Sequence, residues 1–272
     1  MSLKIAFVGV GNMASAIIGG LRASGYAGES IIGTSRNPDK HKSLEAQYGI
    51  VMTADNEWAV EQADVVFLCV KPHMMRDVID SIAHVVRDEQ LFISVAAGLE
   101  LAALSAWLKK PVAIVRSMPN TPSLVGVGMS GLIANEQTTG EQKQWVSDAF
   151  DSFGGHAWVE QEEHMHTVTA LSGSAPAYFF RVLEVMIEAG QAQGLDAATS
   201  RKLATQAMKG AAAMVTELDE DIAQLRRNIT SPNGTTQAAL ETLEEQGVES
   251  LITAAVNACA NRSKELGKQY KV

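Results

Sequence analysis

The sequence predicts an α/β protein whose amino-terminal half is a doubly wound sheet, followed by an all-α carboxy-terminal domain. Three observations carry this. Up to about residue 160, short apolar runs alternate with amphipathic stretches, as successive βαβ units do. The run Asp64-Val65-Val66-Phe67-Leu68-Cys69-Val70 is apolar after its first residue, as expected of a central parallel strand covered on both faces. Beyond residues 156–160 the period turns helical throughout, and Ala, Leu, Glu, Gln and Met dominate. The boundary is therefore expected at residue 161, giving domains 1–161 and 162–272.

The first strand, 3–8, stops at Gly9-Val10-Gly11-Asn12-Met13-Ala14, and a helix is expected over 12–24. This is a G-x-G-x-x-A junction of strand, tight turn and helix. Gly9 permits the sharp turn, Gly11 lets the backbone approach a pyrophosphate, and Ala14 still allows close packing of helix on strand. Free N–H groups and the positive end of the helix then face the phosphates. This half is accordingly Rossmann-like.

A second strand is expected at 30–34, then a helix to residue 48 opened by the cap Asn37 and the first-turn proline Pro38. Further strands fall at 50–52, 64–70, 91–96, 112–116 and 126–134, with helices at 74–86, 99–108 and 140–153. The stretch 164–189 reads as a helix that is apolar nearly all round: Val168, Leu171, Phe179, Phe180, Val182 and Leu183 cover most of its circumference. Such a helix is buried on every side, and the helical half is too small to enclose it alone. A second subunit is expected to do so, with helices at 196–218, 235–246 and 249–267 completing an interlocked dimer.

At the end of the second strand, NAD-preferring sites carry a carboxylate for the ribose 2′-hydroxyl. Here the residues are Thr34-Ser35-Arg36-Asn37. Ser35 can donate a hydrogen bond, and the planar guanidinium of Arg36 suits a 2′-phosphate. NADPH is the expected cofactor, with NADH as a second acceptable donor.

Ser231-Pro232-Asn233-Gly234-Thr235-Thr236 stands directly before an amphipathic helix. Small and hydroxyl residues there leave N–H donors free as a seat for a carboxylate or phosphate. Two other stretches accompany it. Arg116-Ser117-Met118-Pro119-Asn120-Thr121-Pro122 follows a strand, where polar residues tend to face the cleft, and Ser172-Gly173-Ser174-Ala175-Pro176 interrupts the apolar helix. Pro176 obstructs the carbonyl of Ser172, a costly kink unless the freed polar groups are used.

Taken in order, Gly9 to Ala14, Val70-Lys71-Pro72, Ala96-Ala97-Gly98, Arg116 with Met118 to Pro122, Ser172-Gly173-Ser174 with Pro176-Ala177-Tyr178, and Ser231-Pro232 with Gly234 and Thr236 resemble the pyrroline-5-carboxylate reductase family over essentially the whole chain. The resemblance implies NADPH-dependent reduction of 1-pyrroline-5-carboxylate to L-proline by hydride transfer to C5 of the cyclic imine. It implies that Gly9, Val10, Gly11, Asn12 and Met13 hold the pyrophosphate and that Ser35 and Arg36 hold the 2′-phosphate. Asn56, Val70, Lys71 and Pro72 would lie on the adenosine side, and Ala96, Ala97 and Gly98 along the nicotinamide. Ser231, Asn233, Gly234, Thr235 and Thr236 would bind the substrate, with the Thr236 hydroxyl near the ring nitrogen as the catalytic group. Family members commonly have Gly where this chain has Ala175 and Asn233; Asn tolerates the left-handed backbone such a glycine adopts.

Two other readings compete. A β-hydroxyacid dehydrogenase-like enzyme shares the two-domain plan but places a catalytic lysine on the long helix, where this chain has residues 172–176 without one. A non-catalytic NADPH-sensing dimer would require the second site to have decayed. No Ser-His-Asp set, carboxylate dyad or metal cluster stands out. His164 and His166 are two apart on a helix and read as solvated surface residues, and His73 as a helix-start residue. The net charge of −9 and the lack of basic runs argue against a nucleic-acid partner. No apolar run reaches about 18 residues, which argues against a membrane span. Nor does the amino terminus read as a targeting segment. Cys69 and Cys259 read as buried, inert thiols of a reducing compartment, so a cytoplasmic location is expected.

Overall fold

The computed structural model describes residues 3–270. β1 (Ile5–Val8) turns through its glycines into α1 (Asn12–Ala23). β2 (Ile31–Thr34) leads into α2 (Pro38–Tyr48), capped by the Asn37 side chain with Pro38 in the first turn. β3 (Val51–Thr53) is followed by α3 (Asn56–Gln62), whose Trp58 N–H donates to Asp55 at 3.0 Å, and then by β4 (Val65–Leu68). The alternation continues with α4 (Pro72–Ile82), β5 (Leu91–Ser94), α5 (Leu101–Leu108) and β6 (Ala113–Met118). β7 (Gly128–Ala134) then runs antiparallel to β6, and α6 (Gly140–Asp151), opened by a Thr139–Gln142 capping box, returns the chain to β8 (Gly154–Trp158), parallel to β7.

The strands form one sheet in the order β3-β2-β1-β4-β5-β6-β7-β8. Alternate residues feed opposite faces. Ile5, Phe7 and Phe67 belong to one buried cluster; Ala6, Val8, Val66 and Leu68 belong to the other. The Phe7 and Phe67 rings stack with centroids 4.6 Å apart. Two covered faces explain why these strands are apolar at every position. The order reverses between β1 and β4, so the carboxyl ends of these strands bound the crevice where such sheets take ligands.

By internal packing the chain divides into two units: one runs to Ser174 and resumes at Ala258, and the other comprises Ala175–Asn257. In the first unit, α7 (His164–Val168) continues as a π-helical turn, Thr169–Gly173. The Ser174 N–H closes that turn on the Thr169 carbonyl at 2.8 Å. The single helix expected over 164–189 is thus broken, because Pro176 sits in the first turn of a new helix, α8 (Ala175–Ala192), where its missing N–H costs nothing. The break is satisfied as required: Asn120 Nδ2 donates to the Ser172 carbonyl at 3.1 Å, while Asn120 Oδ1 accepts the Met129 N–H at 2.9 Å.

The second unit holds α8, α9 (Ala197–Glu217), α10 (Ile222–Asn228) and α11 (Thr235–Glu245), together with the start of α12 (Val248–Gly267). Within one chain, α8 is not the helix buried on every side that its composition suggests. Phe179 and Phe180 are 59% and 60% exposed, and Val182, Val185 and Met186 are exposed with them. No helix among the described residues is long and apolar enough to cross a membrane.

Candidate functional site

At the carboxyl ends of β1, β2 and β4 lies a cleft of about 530 Å³, lined in part by Gly9, Val10, Gly11, Ser35, Arg36, Asn56, Val70 and Lys71. Gly9 has φ +91°, and a Cβ there would lie 2.6 Å from Val70 Cγ1, so glycine is enforced twice. The Gly9 N–H donates to Thr34 Oγ1 at 3.0 Å and the Val10 N–H to the Thr34 carbonyl at 2.8 Å, tying the turn to β2. Gly11 is different. Its backbone is extended, with φ −110° and ψ −166°, and its Cβ would meet nothing within 4 Å. No protein atom requires glycine there; what it leaves free is space beside the start of α1.

That start carries no side-chain cap, and the N–H groups of Asn12, Met13 and Ala14 find no acceptor among the described residues. Unsatisfied donors beside an open glycine fit a pyrophosphate. Gly11→Ala is therefore expected to leave Tm unchanged, since its backbone suits any residue. It should weaken dinucleotide binding about tenfold by placing a methyl group against the phosphates; thermal unfolding and fluorescence titration read the two effects separately.

Around the rim, the Ser35 N–H donates to the Thr53 carbonyl at 3.1 Å and Ser35 Oγ accepts the Asn37 N–H at 3.2 Å. Arg36 is exposed and makes no ion pair among the described residues. Pro72 opens α4, which also lacks a side-chain cap. Ala96, Ala97 and Gly98 follow β5 and lie outside the cleft lining. Ala97 is exposed, and Gly98, with φ +78°, has its Cβ position 3.7 Å from the Gly267 nitrogen at the end of α12. The lining also includes residues that the sequence motifs did not single out: Ala54, Cys69, Met74, Asp77, Val78 and Ser81. Met74, Asp77, Val78 and Ser81 all lie on α4, at a spacing that puts them on one face of that helix.

The loop at 231–236 belongs to the second unit. Asn233 has φ +57°, the left-handed conformation for which asparagine was expected to substitute. The Gly234 N–H closes the turn on the Ser231 carbonyl at 3.0 Å, and the Asn233 N–H donates to Gln237 Oε1 at 2.7 Å. α11 then begins with Gly234 as its cap residue, which offers no side chain. Among the described residues the hydroxyls of Ser231, Thr235 and Thr236 have no hydrogen-bond partner, and the N–H groups of Thr235, Thr236 and Gln237 have no acceptor. The arrangement can neutralise and orient a small carboxylate.

Several polar residues differ from expectation. Arg116, expected to face the cleft, is 1% exposed and bonded to Glu162, whose other oxygen accepts the Leu101 N–H at the start of α5 at 3.4 Å. His166 is not a surface residue: it is 6% exposed and its Nδ1 lies 2.9 Å from Ser263 Oγ, whereas His164 is exposed. Burial, reinforced by Arg116, holds the His166 imidazole below the usual histidine range. Cys69 and Cys259 are partly exposed as residues, but burial of the Cys69 thiol itself pushes its pKa far above the usual thiol range, which keeps it protonated and unreactive.

Residues 162–266 match the family described as pyrroline-5-carboxylate reductase dimerisation, and residues 4–98 match NADP oxidoreductase coenzyme F420-dependent. The chain is 41% identical over 266 residues to the pyrroline-5-carboxylate reductase of Pseudomonas aeruginosa, covering 98% of this chain and 97% of that one. Among solved structures it is similar to a pyrroline-5-carboxylate reductase from Coxiella burnetii, with TM-score 0.94, 39% identity and coverage of 98% and 99%. It is also similar to the Plasmodium falciparum pyrroline carboxylate reductase with NADP bound, with TM-score 0.86, 30% identity and coverage of 98% and 98%.

Proposed function

The chain belongs to the pyrroline-5-carboxylate reductase family, and from that premise we propose how its residues divide the work. The enzyme reduces 1-pyrroline-5-carboxylate to L-proline with NAD(P)H, in proline biosynthesis. When bound, the cofactor's reduced nicotinamide would supply the hydride for C5 of the imine; the protein supplies alignment and placement of charge.

Gly9, Val10, Gly11, Asn12 and Met13 hold the pyrophosphate at the start of α1. Ser35 and Arg36 receive the 2′-phosphate and set the preference for NADPH, while Asn56, Val70, Lys71 and Pro72 border the adenosine. Ala96, Ala97 and Gly98 run along the nicotinamide end. Ser231, Asn233, Gly234, Thr235 and Thr236 take the substrate, its carboxylate on the free donors of α11. Thr236 presents its hydroxyl to the ring nitrogen, whose protonation makes C5 electrophilic. The observation that carries this reading is the concentration of unpartnered hydroxyl and N–H donors at 231–237, which a small anion would satisfy.

The chain self-associates. We assign that contact to the carboxy-terminal helices of a dimerisation and substrate-binding domain, 162–272, following a dinucleotide domain, 1–161. Phe179, Phe180, Val182, Val185 and Met186 give α8 an apolar face that a second copy would bury, at about 1.5–3 kcal/mol for each large side chain fully covered.

Loss of NADPH absorbance on addition of pyrroline-5-carboxylate, with proline as product, is the expected result of the direct assay. Turnover of a β-hydroxyacid in its place would favour the dehydrogenase reading. Cofactor binding without turnover of the imine would favour a sensor.

A further inference from the structure

We propose that His41 is a positioning residue for selection of the phosphorylated cofactor, acting by aiming the peptide between Ser35 and Arg36. The inference rests on the reading that Ser35 and Arg36 receive the 2′-phosphate. His41 is half-buried in the first turn of α2, and its Nε2 lies 2.8 Å from the Ser35 carbonyl oxygen. A carbonyl only accepts, so the ring carries its proton on Nε2 and donates.

The remaining atoms of Ser35 are engaged as well. Its N–H is held by the Thr53 carbonyl at 3.1 Å, and its Oγ accepts the Asn37 N–H at 3.2 Å. Because Oγ is used there as an acceptor, its proton remains a donor directed elsewhere. The Ser35 carbonyl and the Arg36 N–H share one trans peptide and point in opposite directions. Drawing the carbonyl onto His41 therefore turns the Arg36 N–H away from α2, where it meets no acceptor among the described residues.

Three donors thus stand on one turn at the cleft: the Arg36 N–H, the Arg36 guanidinium and the Ser35 hydroxyl. A terminal phosphate accepts from all three, whereas a ribose hydroxyl has too few lone pairs to do so. Loosening the Ser35–Arg36 peptide is accordingly felt by the 2′-phosphorylated dinucleotide and not by its unphosphorylated counterpart.

Fluorescence titration with NADPH and with NADH tests this. His41→Ala is expected to raise Kd for NADPH about three- to tenfold, the loss of one hydrogen bond's orientation, and to leave NADH unchanged. His41→Gln, whose amide N–H reaches the same carbonyl, is expected to restore NADPH binding, which a mere packing role would not produce. Arg36→Ala in the same titrations separates premise from inference. Equal weakening of both cofactors by Arg36→Ala would mean that the 2′-phosphate lies elsewhere, and the underlying reading falls. If Arg36→Ala weakens NADPH alone while His41→Ala weakens neither cofactor or both alike, or His41→Gln fails to restore, the assignment to His41 falls by itself.

Discussion

Thr236→Ala is expected to lower kcat/KM ten- to a thousandfold, about 1.4–4 kcal/mol of transition-state stabilisation. Thr236 is the second residue of α11, half-buried, with a hydroxyl that no described residue engages. Alanine keeps the helix start and gains propensity, so the fold and the cofactor cleft remain intact. What disappears is one donor and acceptor, which the proposed reading places beside the imine nitrogen. If the hydroxyl orients that nitrogen or passes it a proton, the loss falls chiefly on kcat, because the interaction strengthens as the nitrogen gains electron density. Thr235→Ala, which on the same reading alters only the carboxylate seat, is the internal comparison and should act mainly through KM. Stopped-flow and steady-state rates with NADPH distinguish the two, and wild-type turnover by Thr236→Ala would remove the residue from the mechanism.

The sequence made the sheet legible wherever a strand is covered on both faces, because an unbroken apolar run such as Val65–Leu68 has no other soluble home. β8 was not legible. Gly154-Gly155-His156-Ala157-Trp158 is an edge strand without alternation, placed by pairing with β7 alone. α3 and α10, at seven residues each, are too short for a helical period to emerge. Local chemistry read well: the Asn37 cap, the left-handed Asn233 and the turn glycine Gly9 each follow from backbone sterics within a few residues. Partners distant in sequence did not. Arg116 looked like a cleft residue because its counter-charge, Glu162, lies 46 positions away. His166 looked solvated because its partner Ser263 lies 97 positions away. Two histidines two apart on a helix face nearly opposite directions, so one of the pair facing inward was implicit in their spacing. The exposed Phe179 and Phe180 mark the converse case. On the reading proposed above, their burial depends on a second copy, which a single chain describes only as an uncovered face.

Arg36→Asp is expected to raise Kd for NADPH about a hundredfold while changing NADH less than about threefold, a selectivity change of roughly 2–3 kcal/mol. Two effects add. The charge-assisted bond to the 2′-phosphate is lost, and a carboxylate now stands beside a group of like sign. NADH escapes both, and the new carboxylate can accept from its free 2′-hydroxyl, as acidic residues do at this place in NAD-preferring sites. The repulsive part acts between exposed groups, so it should shrink as ionic strength rises from about 0.01 to 1 M, whereas the lost hydrogen bond should not recover. A salt series with both cofactors therefore resolves the two contributions. The gap between NADPH and NADH should narrow with salt towards a residual set by bonding alone. Equal losses for both nucleotides, at any salt concentration, would place Arg36 away from the 2′-phosphate.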